Sequence, residues 1–362
     1  MSQQVKDILA KDELSAKDLS ILLQAGESDS SLIYQKAAEV KQAFIGNKVH
    51  FRGLVEFSNR CSKNCFYCGI RRGNKAVDRY SITDEEVLEA ARYALDHNFG
   101  SLVLQSGERS DKTFVNTVTR LLRKIKQLSE GRLGITLSMG EQSEETYRQW
   151  FEAGAHRYLL RIESSNRELY YRLHPADNHH SYEYRLQSLE LLRKTGYNVG
   201  TGVMIGLPFQ TYDDLAGDLM FFKDHDIDMI GMGPYIEHEK TPLYQYRHLL
   251  LPLQERFELS LRMVALLRIL MKDINIAATT AMQTIDPHGR EKALITGANI
   301  VMPNLTPLRY REGYLLYQDK PGLDEQAEET HHKFEEQILA AGCQIGYGEW
   351  GDSRHFAART GR

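Results

Sequence analysis

The sequence predicts an α/β protein in which eight parallel strands alternate with helices and close into a (β/α)8 TIM barrel. Three observations carry that prediction. Short apolar runs, many of them rich in Val and Ile, recur eight times and end in Gly, Ser, Asn or Pro. Longer stretches with apolar residues at helical spacing separate them. Such alternation requires parallel pairing through right-handed crossovers, and eight is the number that closes the ring. A doubly wound open sheet has the same local periodicity and is the rival architecture.

Taken in order, the strands are expected at Phe51–Ser58, Ser101–Gly107, Gly134–Gly140, His156–Ser164, Val199–Gly206, Asp228–Pro234, Asn275–Met282 and Ala298–Asn304. Helical spacing marks Asp84–His97, Thr113–Leu128, Leu186–Thr195, Thr211–Asp224, Pro252–Met271 and Gly289–Gly297. Thr83 followed by Asp84, Glu85 and Glu86 is an N-cap with acids in the first turn, and Pro252 suits a first helical position. Residues 1–46 read as a helical extension, two helices packed on the barrel, and 47–323 as the barrel itself. Residues 324–362 read as a C-terminal helix, Glu325–Ala341, and a Gly-rich tail. With no Pro/Ser-rich linker and no low-complexity stretch, the chain is expected to be one domain with appendages.

Composition narrows the function. The 362 residues are 42% hydrophobic and 26% charged, enough apolar material for a large core. Lys and Arg number 45 against 49 Asp and Glu, so the formal charge is −4 and no basic block offers a footprint for nucleic acid. No apolar run reaches the length of a membrane span, and the N-terminus lacks the apolar segment of a signal peptide. The expected location is the cytoplasm, with neither membrane nor nucleic acid as partner.

Cysteine placement is the first pointer to chemistry. Of four cysteines, Cys61, Cys65 and Cys68 fall within eight residues in a loop directly after the first strand, and Tyr67 precedes the last of them. Disulfides do not suit a cytoplasmic setting, so the cluster reads as metal binding or catalysis. Three thiolates on an iron–sulfur cluster leave one iron open to chelate a ligand. Structural zinc is the competing reading, but it takes four ligands, Cys343 is remote, and no His lies between Asn59 and Lys75. In a barrel, active sites gather at the carboxyl ends of the strands. That rule assembles Gln105, Ser106 and Glu108 after the second strand, Thr136 on the third, Arg161 and Glu163 on the fourth, and Met204 on the fifth. Thr279, Thr280, Met302 and Asn304 close the list. Tyr310, Tyr314 and Tyr317 follow at intervals that place them on one helical face, where core packing is the default reading. The pair His179-His180 reads as a solvated loop, and His156, His174 and His288 carry no signal of their own.

The C-x3-C-x2-C loop with an aromatic before its last cysteine resembles the radical S-adenosylmethionine superfamily. A closer resemblance spans roughly residues 50–318. FSNRCSKNCFYCGIRRGNK, LVLQSGE, ITLSMGE, YLLRIESSN, MIGLPFQTYDDLAGDL, DMIGMGPYIEHEKTPL, AATTAM and GANIVMPNLTP are similar, in order, to the HydE family of FeFe-hydrogenase maturases. The resemblance implies a barrel of the radical S-adenosylmethionine type. It implies a 4Fe-4S cluster held by Cys61, Cys65 and Cys68, S-adenosylmethionine on the remaining iron, and reductive cleavage to a 5′-deoxyadenosyl radical. By the same resemblance, Gln105, Ser106, Glu108, Thr136, Arg161, Glu163, Arg185 and Met204 bind the cofactor. Thr279, Thr280, Met302 and Asn304 face the substrate, and Tyr314 and Tyr317 donate or relay a proton.

Plainer readings stand beside these roles. A satisfied turn accounts for Gln105–Glu108 and for Met204–Pro208, and a buried ionic network accounts for Arg161, Glu163 and Arg185. One residue departs from the family pattern, Ile162, where relatives often carry His between the Arg and Glu. Only Cys343 is left over, so a second cysteine-ligated cluster, and with it sulfur insertion of the biotin-synthase type, is excluded. The implied substrate is a cysteine-bound iron–carbonyl–cyanide precursor of the hydrogenase diiron subcluster. The implied partners are a second radical enzyme, a GTPase scaffold and an external electron donor. A methylornithine-synthase-like radical mutase is the rival enzyme, and an iron–sulfur carrier or electron-transfer protein the rival outside catalysis.

Overall fold

The computed structural model describes residues 2–361. Eight strands form a single parallel ring: β1 (Lys48–Ser58), β2 (Ser101–Ser106), β3 (Gly134–Ser138), β4 (Arg157–Leu159), β5 (Asn198–Thr201), β6 (Met229–Ile230), β7 (Asn275–Ile276) and β8 (Ile300–Val301). β8 returns to β1 in the register His50↔Ile300 and Phe51↔Val301. Between β7 and β8 the ring closes through the Ala277↔Ile300 bridge, with Ala278 N–H donating to Ile300 O and Asn299 N–H to Ile276 O, both at 2.9 Å. The barrel therefore stands and the open sheet does not.

Several strands are shorter than their apolar runs, and each has a physical reason. β5 and β6 break at Gly202 and Gly231, where the backbones approach so closely that a Cβ on Gly202 would lie 1.9 Å from Gly231 O. Pairing resumes above the break as a small sheet of Met204–Ile205 with Gly233–Pro234. The run expected to continue as a strand to Met282 instead turns helical at Thr280, with Thr279 in the extended N-cap position. Thr83 forms the expected capping box with Glu86, whereas Pro252 sits at the N-cap of its helix and not inside it.

The N-terminal region holds three helices, not two: Ser2–Leu9, Ala16–Leu23 and Glu27–Phe44. Ser15 and Asp18 build a capping box that starts the second. The second packs on helix Tyr212–Asp224 and the third on helix Leu253–Leu270. The C-terminal segment is more than a tail. After helix Ala327–Ala340, Gln344–Ile345 adds to the edge of β1 and Arg354–Thr360 forms a further helix. Between them the chain crosses the amino-terminal mouth of the barrel. Trp350 O accepts from Ser101 Oγ (2.9 Å) and Arg157 Nη1 (3.0 Å), and Gly351 O from Arg52 Nη2 (3.0 Å) and Asn275 Nδ2 (2.8 Å). Asp352 pairs with Arg157 and His156. This crossing requires Gly100, because a Cβ there would meet Glu349 O at 1.6 Å.

One buried acid gives the fold a pH signature. Asp218, with no exposed surface, lies on helix Tyr212–Asp224. Its Oδ1 accepts from Ser165 N–H and Oγ, both at 2.6 Å, while Oδ2 has no partner. Burial pushes its carboxyl up from 3.8 to about 7. The folded state thus holds a proton that the unfolded chain releases, so this contribution is full below about 4 and is lost as pH rises through about 7. Asp218→Asn, which keeps an acceptor for Ser165, is expected to raise stability at pH 8 by about 2–4 kcal/mol and to change it little near pH 4. Urea unfolding at both pH values checks this; a gain of equal size at both would refute it.

Candidate active site

β1 delivers the chain at Ser58 to the carboxyl mouth, and the loop that follows is tied down before it reaches the cysteines. Asn59 Nδ2 donates to Asp78 O and Gly313 O, both at 2.7 Å. Arg79 straps the loop through Asn59 O (2.6 Å), Ile70 O (2.7 Å), Arg71 O (2.7 Å) and Asn74 O (3.0 Å). Gly107 lets β2 pass close by, since a Cβ there would lie 2.8 Å from Cys61 Cβ, and Glu108 N–H points to Cys61 Sγ at 3.4 Å. All four cysteines are free thiols. Burial and then the charge of a neighbouring cysteine push Cys65 well up and Cys68 up to about 12; burial followed by the Glu108 charge raises Cys61.

Beside the thiols lies a four-charge box. Lys63 Nζ contacts Glu108 Oε1 at 3.0 Å and Glu141 Oε2 at 2.7 Å. Arg185 Nε donates to Glu141 Oε1 at 2.5 Å and its Nη2 stands 3.8 Å from Glu108 Oε2. Burial alone would raise both acids. Arg185 and Lys63 overcome it and hold Glu141 low, while Glu108, which faces Glu141, stays raised. Two anions balance two cations, which is what makes the box tolerable in a buried place.

Glu163 is the strained residue of the rim. Its φ of +66° is left-handed, a conformation rare for a residue with a side chain. The backbone is held there by Glu163 N–H to Gly202 O (2.9 Å) and Met204 N–H to Glu163 O (3.2 Å). Arg161 Nη2 reaches its carboxylate at 3.0 Å and also Val203 O at 2.9 Å. Strain retained by several bonds is characteristic of functional positions.

The structure brings most of the expected residues together and separates some. Gln105 follows Val103 on the inward face of β2, and Met204 is half-buried against the apolar cluster at the mouth. Ser106 uses its hydroxyl locally, on Gly107 O at 2.7 Å. Thr136 is not at the rim: in register with Arg157, it accepts that guanidinium's Nε at 2.9 Å in the lower barrel. Ile162 belongs to the outer apolar core and does not join the rim charges. Across the mouth, Thr279 Oγ1 donates to Met232 O (3.3 Å), and Asn304 Nδ2 to Glu56 Oε2 (3.3 Å). Thr280 and Met302 line a small cavity beside them. The tyrosines do not share one helical face, because the helix ends at Arg311. Tyr310 turns outward onto Tyr80 and Glu86. Tyr314 is buried under Lys320, its ring 5.5 Å from Nζ, and burial pushes Tyr317 up to about 12.

Sequence reasoning missed Lys63, Glu141, Glu56 and Lys320. Signals existed for two of them. Glu56 is a carboxylate within an apolar strand, as Glu163 was, and Lys63 lies inside the cysteine loop itself. Lys320 closes on Glu56 in a buried pair. Of the loop pair, His179 is exposed as expected but His180 is buried and accepts Asn64 N–H at 2.9 Å; His174, which gave no signal, meets Tyr67 Oη at 3.3 Å.

Does this mouth fit a 4Fe-4S cluster? Three free thiols that feel one another's charge are its donor set. Among the described residues no three His, Cys, Asp or Glu side chains converge on a point suited to one metal ion. A cuboidal cluster asks for no such convergence, since each thiolate sits on its own iron. The residues fit.

Comparison with known proteins agrees. Residues 55–222 match the Radical SAM superfamily. The chain is 47% identical over 289 residues to the [FeFe] hydrogenase maturase subunit HydE of Thermotoga maritima, covering 80% of this chain and 79% of that one. It is 27% identical over 308 residues to 3-methylornithine synthase of Methanosarcina acetivorans, covering 84% and 83%. The crystal structure of a methylornithine synthase shares the fold, with a TM-score of 0.78 at 22% identity over 95% of this chain and 98% of that one. Likeness of this degree, across barrel and mouth alike, makes the chain a radical S-adenosylmethionine enzyme of the HydE family of [FeFe] hydrogenase maturases, a family whose chemistry employs a 4Fe-4S cluster and S-adenosylmethionine.

Proposed function

We propose that Cys61, Cys65 and Cys68 ligate three irons of the cluster, and that the radical acts on a cysteine-bound iron–carbonyl–cyanide precursor during assembly of the hydrogenase diiron subcluster. The observation that carries the reading is the three-thiol loop set against Glu163, Arg161 and Arg185 at one mouth of a closed barrel. When bound, the cluster and S-adenosylmethionine supply a 5′-deoxyadenosyl radical on one-electron reduction by an external donor.

The chain's own residues then have separable tasks. Arg185 commits Nε to Glu141 and Nη1 to Arg161 O (2.6 Å), which leaves Nη2 as the nitrogen for the cofactor carboxylate. Glu163 presents a fixed negative charge to a sulfonium and acceptors to a ribose. Gln105, Ser106, Glu108 and Met204 complete that wall, with Lys63 and Glu141 holding Glu108 and Arg185 in place. Thr136 supports the wall from below through Arg157. Thr279, Thr280, Met302 and Asn304 face the substrate, and Tyr314 and Tyr317 stand as proton donors beside the Glu56–Lys320 pair. Water is kept from the radical on two sides. The tail closes the far mouth, and an apolar layer of Leu169, Leu173, Leu207, Tyr235 and Leu243 covers Phe66 and Tyr67 of the cysteine loop. The partners that follow are the other maturation factors, a second radical enzyme and a GTPase scaffold.

The test is anaerobic reconstitution, reduction and addition of S-adenosylmethionine, with 5′-deoxyadenosine measured by chromatography. Product is expected from the wild type, and more of it when the iron precursor is supplied. A loaded, reducible cluster that yields none would make the protein a carrier. Turnover of free lysine would make it a mutase.

A further inference from the structure

A cavity of about 40 Å³ opens off the barrel wall between β8 and helix Ala327–Ala340. It runs from Leu54 on β1 to Lys333 near the surface. The acid that lines this cavity, Glu325, already has Lys333 at 2.6 Å, and Lys320 of the lining is taken by Glu56 outside it. Arg290 has no such partner. The residue is 8% exposed, and no Asp or Glu oxygen among the described residues lies within 4.0 Å of its guanidinium. Its Nε has no hydrogen-bond partner, and Nη2 reaches only Thr280 Oγ1 at a long 3.5 Å. One face of the guanidinium rests on the Phe334 ring, 4.1 Å from its centroid, which fixes the plane. Gln283, on the same cavity wall, also carries an unpartnered buried oxygen.

An unpaired buried guanidinium is costly unless an anion meets it. Burial draws Arg290 down to about 10, and the charges of Tyr317, Glu325 and Glu291, none of them in contact with the guanidinium, offset it only in part. The lining carries Arg290, Lys320 and Lys333 against Glu325, and with Lys320 neutralised by Glu56 behind it one positive charge is left over; the volume takes roughly a carboxylate and no nucleotide or sugar. A planar fork locked by an aromatic face matches a planar carboxylate.

We infer that Arg290, with Thr280, forms a subsite for the carboxylate of a small ligand, opening off the barrel wall. Two sources supply such a group: a free small acid, or the amino-acid part of the substrate, and the second rests on the function proposed above.

Titration of carboxyl-labelled [13C]acetate into the reconstituted protein, read by its transverse relaxation, tests the site. Wild-type protein is expected to broaden the resonance. Arg290→Gln is expected to weaken binding about 10-fold or more, the size of a lost charge-assisted bond. Arg290→Lys keeps the charge without the fork and should fall between them, which guards against a variant that merely misfolds. Lys272→Gln, on an exposed residue elsewhere, should match wild type. Displacement of acetate by cysteine but not by cysteamine assigns the site to the substrate; displacement by formate alone assigns it to a free acid. No binding by wild type, equal binding by Arg290→Gln, or equal displacement by chloride would overturn the inference. The readout needs neither S-adenosylmethionine nor turnover. Loss of acetate binding therefore leaves the radical reading standing, and absence of 5′-deoxyadenosine leaves the subsite standing.

Discussion

Cys65→Ala protein, reconstituted anaerobically beside the wild type, is expected to retain iron only at background level and to yield no 5′-deoxyadenosine. Cys61→Ala and Cys68→Ala should behave alike. The expectation follows from how the loop is built. Without a cluster each of the three half-buried thiols is raised above its ordinary value, by desolvation and then by a neighbouring negative charge, Glu108 for Cys61 and another cysteine for Cys65 and Cys68. A metal reverses that order, because it binds the deprotonated form and supplies the missing positive charge. Two thiolates hold two irons and leave two open, and two imidazoles beside the loop are already engaged: His174 by Tyr67 Oη and Tyr170 O, and His180 by Asn64 N–H and Asp177. Cys343 is the control. It is buried far from the loop, with Lys41 Nζ 3.5 Å from its sulfur. Cys343→Ala should keep full iron and full product. Equal iron in all four variants would sink the ligand assignment.

The barrel was legible because its strands are apolar runs that start where periodicity says they start, from Ser101 and Gly134 to Asn275. Where those runs stop was not legible. Gly202 and Thr280 end their ladders for reasons of contact across the ring, which no local pattern contains. The polar N-terminal region likewise hid a third helix, since Ser15 and Asp18 look like loop residues until their side chains cap a turn.

The site divides in the same way. Cysteine spacing and the carboxylate ending YLLRIE are strong signals, because each places chemistry where burial is otherwise costly. Lys63 gave a weaker one and Glu141 none, as each becomes intelligible only when Glu108, from the loop after β2, and Arg185, from helix Tyr182–Thr195, arrive to balance it. Tyrosine spacing misled, since it presumes a helix that Arg311 ends. Thr136 misled differently. It does point inward, but depth along the barrel is set by register, and register puts it level with Arg157.

That level of the barrel yields the largest expected change in stability. Arg157→Met should cost about 3–5 kcal/mol, the usual price of leaving a buried charge network unpaired. Arg157 has no exposed surface and its guanidinium serves four partners: Thr136 Oγ1 at 2.9 Å, Ser101 Oγ at 2.5 Å, Trp350 O at 3.0 Å and Asp352. Methionine fills the volume and satisfies none of them. Asp352→Asn should cost less, because three neutral acceptors still hold the guanidinium, and the double variant should be more stable than the sum of the two losses predicts. Burial would raise Asp352, but His156 and Arg157 hold it well below the ordinary carboxylate range. Its contribution is therefore full above about 4 and is lost as pH falls below that value. Urea unfolding of the three variants at neutral pH measures the network. Arg157→Met within 1 kcal/mol of wild type would show that the tail is a passive cover. The predicted loss, accompanied by faster proteolysis after Gly346, would show that this arginine latches the closed end of the barrel.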